Sequence, residues 1–258
     1  MSYERRTFRW ILLAAGVIML GCLVVLPDPW RGRCAILALA AAGLSLVPVR
    51  LWVNRAYREA MAKAARLAGL EVVGSPAEEA AHPVLGELKR ILDPDVYGWK
   101  VAGRFPALVG VKGRAAVVVR VPPGVDFDAA APDCTRVAAL MRVTASPFAV
   151  YDRGLLRGRT PQGHQIPMPT DEFSRRYVVT GFKDEEVKDI LGPEVRRAIV
   201  EAGGVGFRGI EVSRHGVFVH EAGKVVDPQL IASRVELVSA LSAAVPGEAL
   251  LSRPLGRG

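Results

Sequence analysis

Two long uncharged apolar runs near the start of the chain constrain it more than any other feature. The first extends from Trp10 to Pro27, 18 residues without a charge. As a helix it rises about 27 Å, close to the hydrocarbon thickness of a bilayer. The second extends from Cys34 to Val49, 16 residues, and resumes after Arg50 as Leu51-Trp52-Val53. Six residues of turn formers and charge, Asp28 to Arg33, join the two. So short a link makes the helices antiparallel. The expectation is a two-helix transmembrane hairpin over residues 1–53, with spans of about 10–27 and 34–53. Neither run has a polar face, which disfavours a buried soluble helix pair.

Charge follows the same division. The net charge is +8, and residues 1–70 hold ten Lys or Arg against three Asp or Glu. The remainder holds 24 against 23, so no broad phosphate-binding face is indicated and nucleic acid is excluded as a partner class. Basic residues crowd the outer ends of the hairpin, with Arg5, Arg6 and Arg9 before it and Arg50, Arg55, Arg58, Lys63 and Arg66 after it. Only Arg31 and Arg33 lie in its tip. The positive-inside bias then places both termini in the cytoplasm, in the inner (plasma) membrane of a bacterium. Arg50, Trp52, Arg55 and Arg58 are the expected membrane-interface residues. Ala35, Ala38, Ala42 and Ser45 form a small-residue stripe suited to packing within the hairpin. A signal peptide fits poorly, because a second span follows the first. Leu20-Gly-Cys22 is a poor lipidation site, because apolar residues continue beyond the cysteine.

The rest reads as an α+β soluble domain that mixes helices with a sheet, divisible into two halves. Residues 54–69 read as a juxtamembrane helix. Residues 70–170 read as a strand-rich subdomain with a short helix at Pro83 to Leu92. Its strand signals are Tyr97 to Phe105, Ala107 to Val111, Ala115 to Val121, Arg136 to Val143 and Phe148 to Tyr151, broken at Pro106 and Lys112-Gly113. Arg136 to Val143 also suits a helix. Residues 152–170, rich in glycine and proline, read as a long irregular loop. Residues 171–245 read as an α+β subdomain: a strand at Tyr177 to Thr180, helices opening at Asp184 and Pro193, a hairpin about Arg214-His215, and a long helix capped by Asp227-Pro228. Residues 246–258 read as a flexible tail.

The stretch from Asp171 to Val179, the acidic helix start after it, Leu191-Gly-Pro193-Glu and the hairpin together resemble a recurrent pattern. It is that of uncharacterised bacterial membrane proteins with N-terminal spans and a cytoplasmic domain of unknown function. The resemblance covers roughly residues 171–245 plus the anchor. It implies an α+β domain on a membrane tether and carries no activity.

Chemistry is sparse in the sequence. The four histidines, His82, His164, His215 and His220, form no HxxxH or HExxH, and Asp126-Phe-Asp128 with Asp133 lacks cation-loop spacing. No GxGxxG, GxxxxGK[ST] or GxSxG is present. Cys134 is a lone cysteine that reads as inert, Cys22 and Cys34 lying in the apolar runs. Arg153, Arg157 and Arg159 form the one candidate anion or partner contact, with Arg175 and Arg176 near in sequence and Asp152, Asp171 and Glu172 able to neutralise them. No catalytic residue, cofactor or metal is assigned. The expectation is a membrane-anchored cytoplasmic module that binds or scaffolds a protein partner. A ligand- or lipid-sensing domain and an unrecognised enzyme are the alternatives.

Overall fold

The computed structural model describes Ile36 and residues 51–121, 134–155, 163–204 and 206–251. The expected spans at 10–27 and 34–49 lie outside the described residues, apart from Ile36. Among the described residues no helix is long and apolar enough to cross a membrane. Contacts divide the chain into two compact units, residues 1–59 and 60–258.

Among the described residues, helix α1 covers 51–68. In the first unit its Val53 and Tyr57 are buried while Leu51, Trp52, Arg55 and Arg58 are exposed. In the second unit Ala60, Met61, Ala64, Ala65 and Ala68 are buried at helical spacing.

The second unit is mixed α+β and is built on one nine-stranded antiparallel sheet. Its strands are β1 (Glu71–Val73), β2 (Arg104–Lys112), β3 (Ala115–Val121), β4 (Cys134–Leu140), β6 (Phe148–Asp152), β7 (His164–Ile166), β8 (Tyr177–Gly181), β9 (Phe207–Ser213) and β10 (Gly216–Ala222). Their order is β1-β2-β3-β4-β10-β9-β6-β8-β7. A small second sheet pairs β5 (Arg142–Val143) with β11 (Gly247–Glu248). Strands from before and after residue 170 therefore interleave: β4 pairs with β10, and β6 lies between β9 and β8. Both edge strands have only three residues, a length that limits edge-to-edge association.

The central strands are covered on both faces, which explains why β3, Ala-Ala-Val-Val-Val-Arg-Val, is buried at every position. On one face Ala116, Val118, Ala138, Leu140 and Phe218 meet Val84, Leu85 and Leu88 of α3 (Pro83–Ile91). Each fully buried valine, leucine or phenylalanine here contributes roughly 1.5–3 kcal/mol. On the other face α8 (Pro228–Ala244) packs on β3, β4 and β10 through its buried side, which includes Ile231, Val235, Val238 and Leu241. Asp227 starts that helix by accepting from Gln229 N at 2.9 Å, as the Asp-Pro pair predicts. Helices α6 (Asp184–Ile190) and α7 (Pro193–Ala202) carry the chain from β8 over β6 to β9, and α7 packs on α8.

Four expectations need correction. Tyr97 to Phe105 is not one strand, because Tyr97–Val101 continues the turn of α4 (Pro94–Val96) as a π-helical segment. Asp93 starts that turn by accepting from Asp95 N at 2.9 Å, and Tyr97 and Val101, four apart, are both buried in the core. Tertiary burial thus overrides the strand preference of aromatic and β-branched residues. Pro106 does not break β2: it sits inside the strand, after a cis peptide bond, where the register with β3 shifts between Arg104 and Leu108. Residues 152–170 are not wholly irregular, since β7 lies within them and pairs with β8; α5 (Glu172–Arg176) comes after them, and residues 156–162 lie outside the described residues. The tail does not begin at Pro246, because β11 pairs with β5 and Leu250 and Leu251 pack on the core.

Candidate functional site

The arginines expected to contact an anion or a partner divide. Arg153 lies in a 3-10 turn (Arg153–Leu155), and its guanidinium donates to Ser174 O at 2.8 Å. Arg157 and Arg159 lie outside the described residues. Arg176 sits 3.8 Å from Asp152 and stacks over the Tyr177 ring at 5.3 Å. Asp171 caps α5, accepting from Ser174 N at 2.9 Å, and also binds Arg196 at 2.9 Å. The neighbouring acids therefore do neutralise part of this region, through pairs that the sequence spacing alone left open.

The histidines scatter. His82 pairs with Glu71 at 3.2 Å, His164 with Asp184 at 2.5 Å and His220 with Glu211 at 3.7 Å, while His215 accepts from Arg214 Nε at 2.8 Å. Among the described residues no group of three or more His, Cys, Asp or Glu can hold a metal ion. Cys134, at the start of β4, is half-buried and in no disulfide. Asp126, Asp128 and Asp133 lie outside the described residues.

One ionisable assembly among the described residues was not expected from the sequence. Arg120 of β3, Arg136 of β4 and His220 of β10 are direct cross-strand partners in successive pairs, so all three project from one face of the sheet. Both arginines are buried. Burial pulls the Arg136 guanidinium below the ordinary arginine value, with Cys134 and Glu211 acting in the opposite direction. Arg120 is held by Glu79 of α2 (Pro76–Ala81), with Nη1 to Oε1 at 3.2 Å and Nη2 to Oε2 at 3.0 Å. It also lies over the Phe105 ring at 5.2 Å. Tyr97 donates to the same Glu79 oxygen at 2.6 Å. Partial burial pushes the Glu79 carboxyl up, but the bonds from Arg120 and Tyr97 outweigh it and hold the group below its ordinary value. The Tyr97 phenol moves the other way, raised by burial and by its bond to Glu79.

The opposite face holds a second buried pair. Arg234 of α8 donates to Glu221 of β10 and to the Ala202 carbonyl at the end of α7, and its guanidinium lies over the Phe207 ring at 5.3 Å. Burial raises the Glu221 carboxyl, with Arg234 opposing. The signal for both assemblies was present in the sequence as charge inside apolar runs: Val-Val-Val-Arg120-Val, Thr-Arg136-Val-Ala and the single arginine in the stripe of α8. Arg120 and Arg234 have carboxylate partners within the unit and tie strand to helix. Their chemistry is that of structural ion pairs.

The interface residues are placed differently. Trp52, Arg55 and Arg58 of α1 are exposed, and Arg55 pairs with Glu59 at 2.9 Å. Arg50 lies outside the described residues. This surface joins large apolar side chains to guanidinium groups that water reaches.

No family model matches the chain, and no curated protein matches it. Among solved structures, the mycobacterial trehalose monomycolate transport factor A, TtfA, aligns with a TM-score of 0.44 and 12% identity, over 74% of this chain and 98% of that chain. A likeness of that degree transfers neither residues nor roles.

Proposed function

We propose that this chain is a membrane-tethered docking protein, in which an N-terminal transmembrane hairpin holds an α+β domain at the cytoplasmic surface of a bacterial inner membrane, where it binds a protein partner. One observation carries the reading: two uncharged runs of 18 and 16 residues stand at the start of the chain, with basic residues concentrated outside the pair and few in its tip. The use of Glu79, Glu221 and Asp171 as internal ion-pair partners agrees with a domain whose charges serve its own fold.

Two measurements test it. A thiol at residue 258 should be labelled by an impermeant reagent only after the membrane is opened; labelling of intact cells from outside rejects the orientation. The full chain purified in detergent should enrich a defined partner over a control carrying residues 1–59 alone. If nothing is retained beyond that control, the docking role fails while the tether stands.

A further inference from the structure

We propose that residues 51–59 of α1 contact anionic phospholipid headgroups, with Leu51 and Trp52 entering the bilayer interface and Arg55 and Arg58 holding lipid phosphates. The inference rests on the tethered reading above and names the ligand of that surface. Three observations within the first unit carry it.

The first is exposure of the wrong kind for water. Leu51 is 64% and Trp52 54% exposed, while Val53 and Tyr57 in the same turns are 5% and 3% exposed. The helix thus has a buried side, and two large apolar side chains lie on its exposed side. A tryptophan beside arginines is the composition that settles at the headgroup level, where the ring is amphipathic and the cations meet phosphate.

The second is charge complementarity. Arg55 and Arg58 are exposed against one carboxylate, Glu59. The Arg55–Glu59 pair has side-chain exposures of 82% and 59%. Such a pair contributes little in water, so a lipid phosphate displaces it readily. The guanidinium fork also matches a phosphate with two parallel bonds.

The third is continuity. Leu51 follows the uncharged run of Cys34 to Val49 with Arg50 alone between them. If that run spans the bilayer, these residues emerge at its surface, and anionic lipid is the partner nearest to hand.

The test uses the full chain reconstituted in phosphatidylcholine vesicles with or without phosphatidylglycerol, with bromine on the acyl chains as a quencher. Trp52 is one of four tryptophans, so its signal is taken as the difference between the native chain and W52F. That component should be quenched by brominated lipid, more strongly when phosphatidylglycerol is present, and less so at high salt. The double reversal R55E/R58E should lower the ratio of lipid-contacting to free Trp52 by about tenfold or more, while Lys at both positions keeps most of it. Equal quenching in neutral and anionic vesicles, or no response to charge reversal, overturns the contact. Extraction by alkaline carbonate reads the tether separately: a chain that washes off rejects the hairpin anchor, and the Trp52 response still decides the lipid contact.

Discussion

Two elements of different sequence regions end on the Glu79 carboxylate. Arg120 reaches it from the middle of the sheet and Tyr97 from the π-helical turn. Glu79→Gln keeps the shape and removes the charge, so it should cost about 1.5–3 kcal/mol in urea unfolding at neutral pH. The sign of its pH dependence follows from the lowered carboxyl. A group depressed in the folded state stabilises above its unfolded value, here 4.5, and loses that contribution as pH falls through the folded value. The difference between the parent and Glu79→Gln should therefore shrink below that pH; a gap unchanged in strong acid means that shape, not charge, matters there. Tyr177 makes the opposite case. Its hydroxyl is buried without a hydrogen-bond partner among the described residues, and a Cβ on Gly203 would overlap it. Tyr177→Phe should thus be neutral or stabilising by up to about 1 kcal/mol in thermal unfolding, since it deletes a desolvated group that nothing repays. Gly203→Ala should destabilise the parent and be largely tolerated in the Tyr177→Phe background.

At the scale of elements, the end of α8 shows what sequence reasoning could reach and what it could not. The Asp227-Pro228 start and the apolar spacing from Ile231 to Val245 are local patterns, and both stand in the structure. The other end of the helix is held from far away. Arg114, in the turn between β2 and β3, donates to the carbonyls of Ser242, Val245 and Gly247 at 2.9, 2.5 and 2.7 Å. Nothing near residue 245 announces a partner more than 100 residues earlier, and for that reason the tail read as loose. The same limit applies to β7, whose three residues become a strand only because β8 offers them an edge. Helix breakers such as Gly192-Pro193 and turn residues such as Lys112-Gly113 act through their own backbone, so their positions could be read directly. The buried arginines of the candidate assemblies were visible as letters, but the register that sets Arg120 beside Arg136 and His220 is a non-local fact. Arg114→Ala should strip donors from several helix-end carbonyls and cost about 2 kcal/mol. Arg114→Lys should recover only part, because an ammonium lacks the planar fork. Hydrogen exchange should quicken first in the last turn of α8; uniform acceleration across the sheet instead would show that the arginine supports global packing.

For the whole second unit, the decisive relation is the interleaving of strands. β8 and β9 do not pair with each other but with β6, which lies between them and comes from before residue 170. β10, in turn, closes on β4 along seven paired positions. A fragment of residues 171–251 would keep the β9–β10 hairpin and helices α6 to α8, yet leave β8 without a neighbour and one whole edge of β10 open. A fragment of residues 60–170 would keep the β1–β4 meander with α3, but would expose the face that α8 covers. Neither half then closes its core, and an isolated hairpin is marginal in water. Each fragment alone should lack a cooperative thermal transition, whereas the two refolded together should regain one, because the missing strand and the missing helix are supplied in trans. Independent cooperative folding of residues 171–251 would show that the β6 and β4 pairings add to a domain already complete. The interleaved topology argues against that result: long-range pairing is formed at the cost of loop closure, and here that cost is recovered only when both halves meet in one sheet.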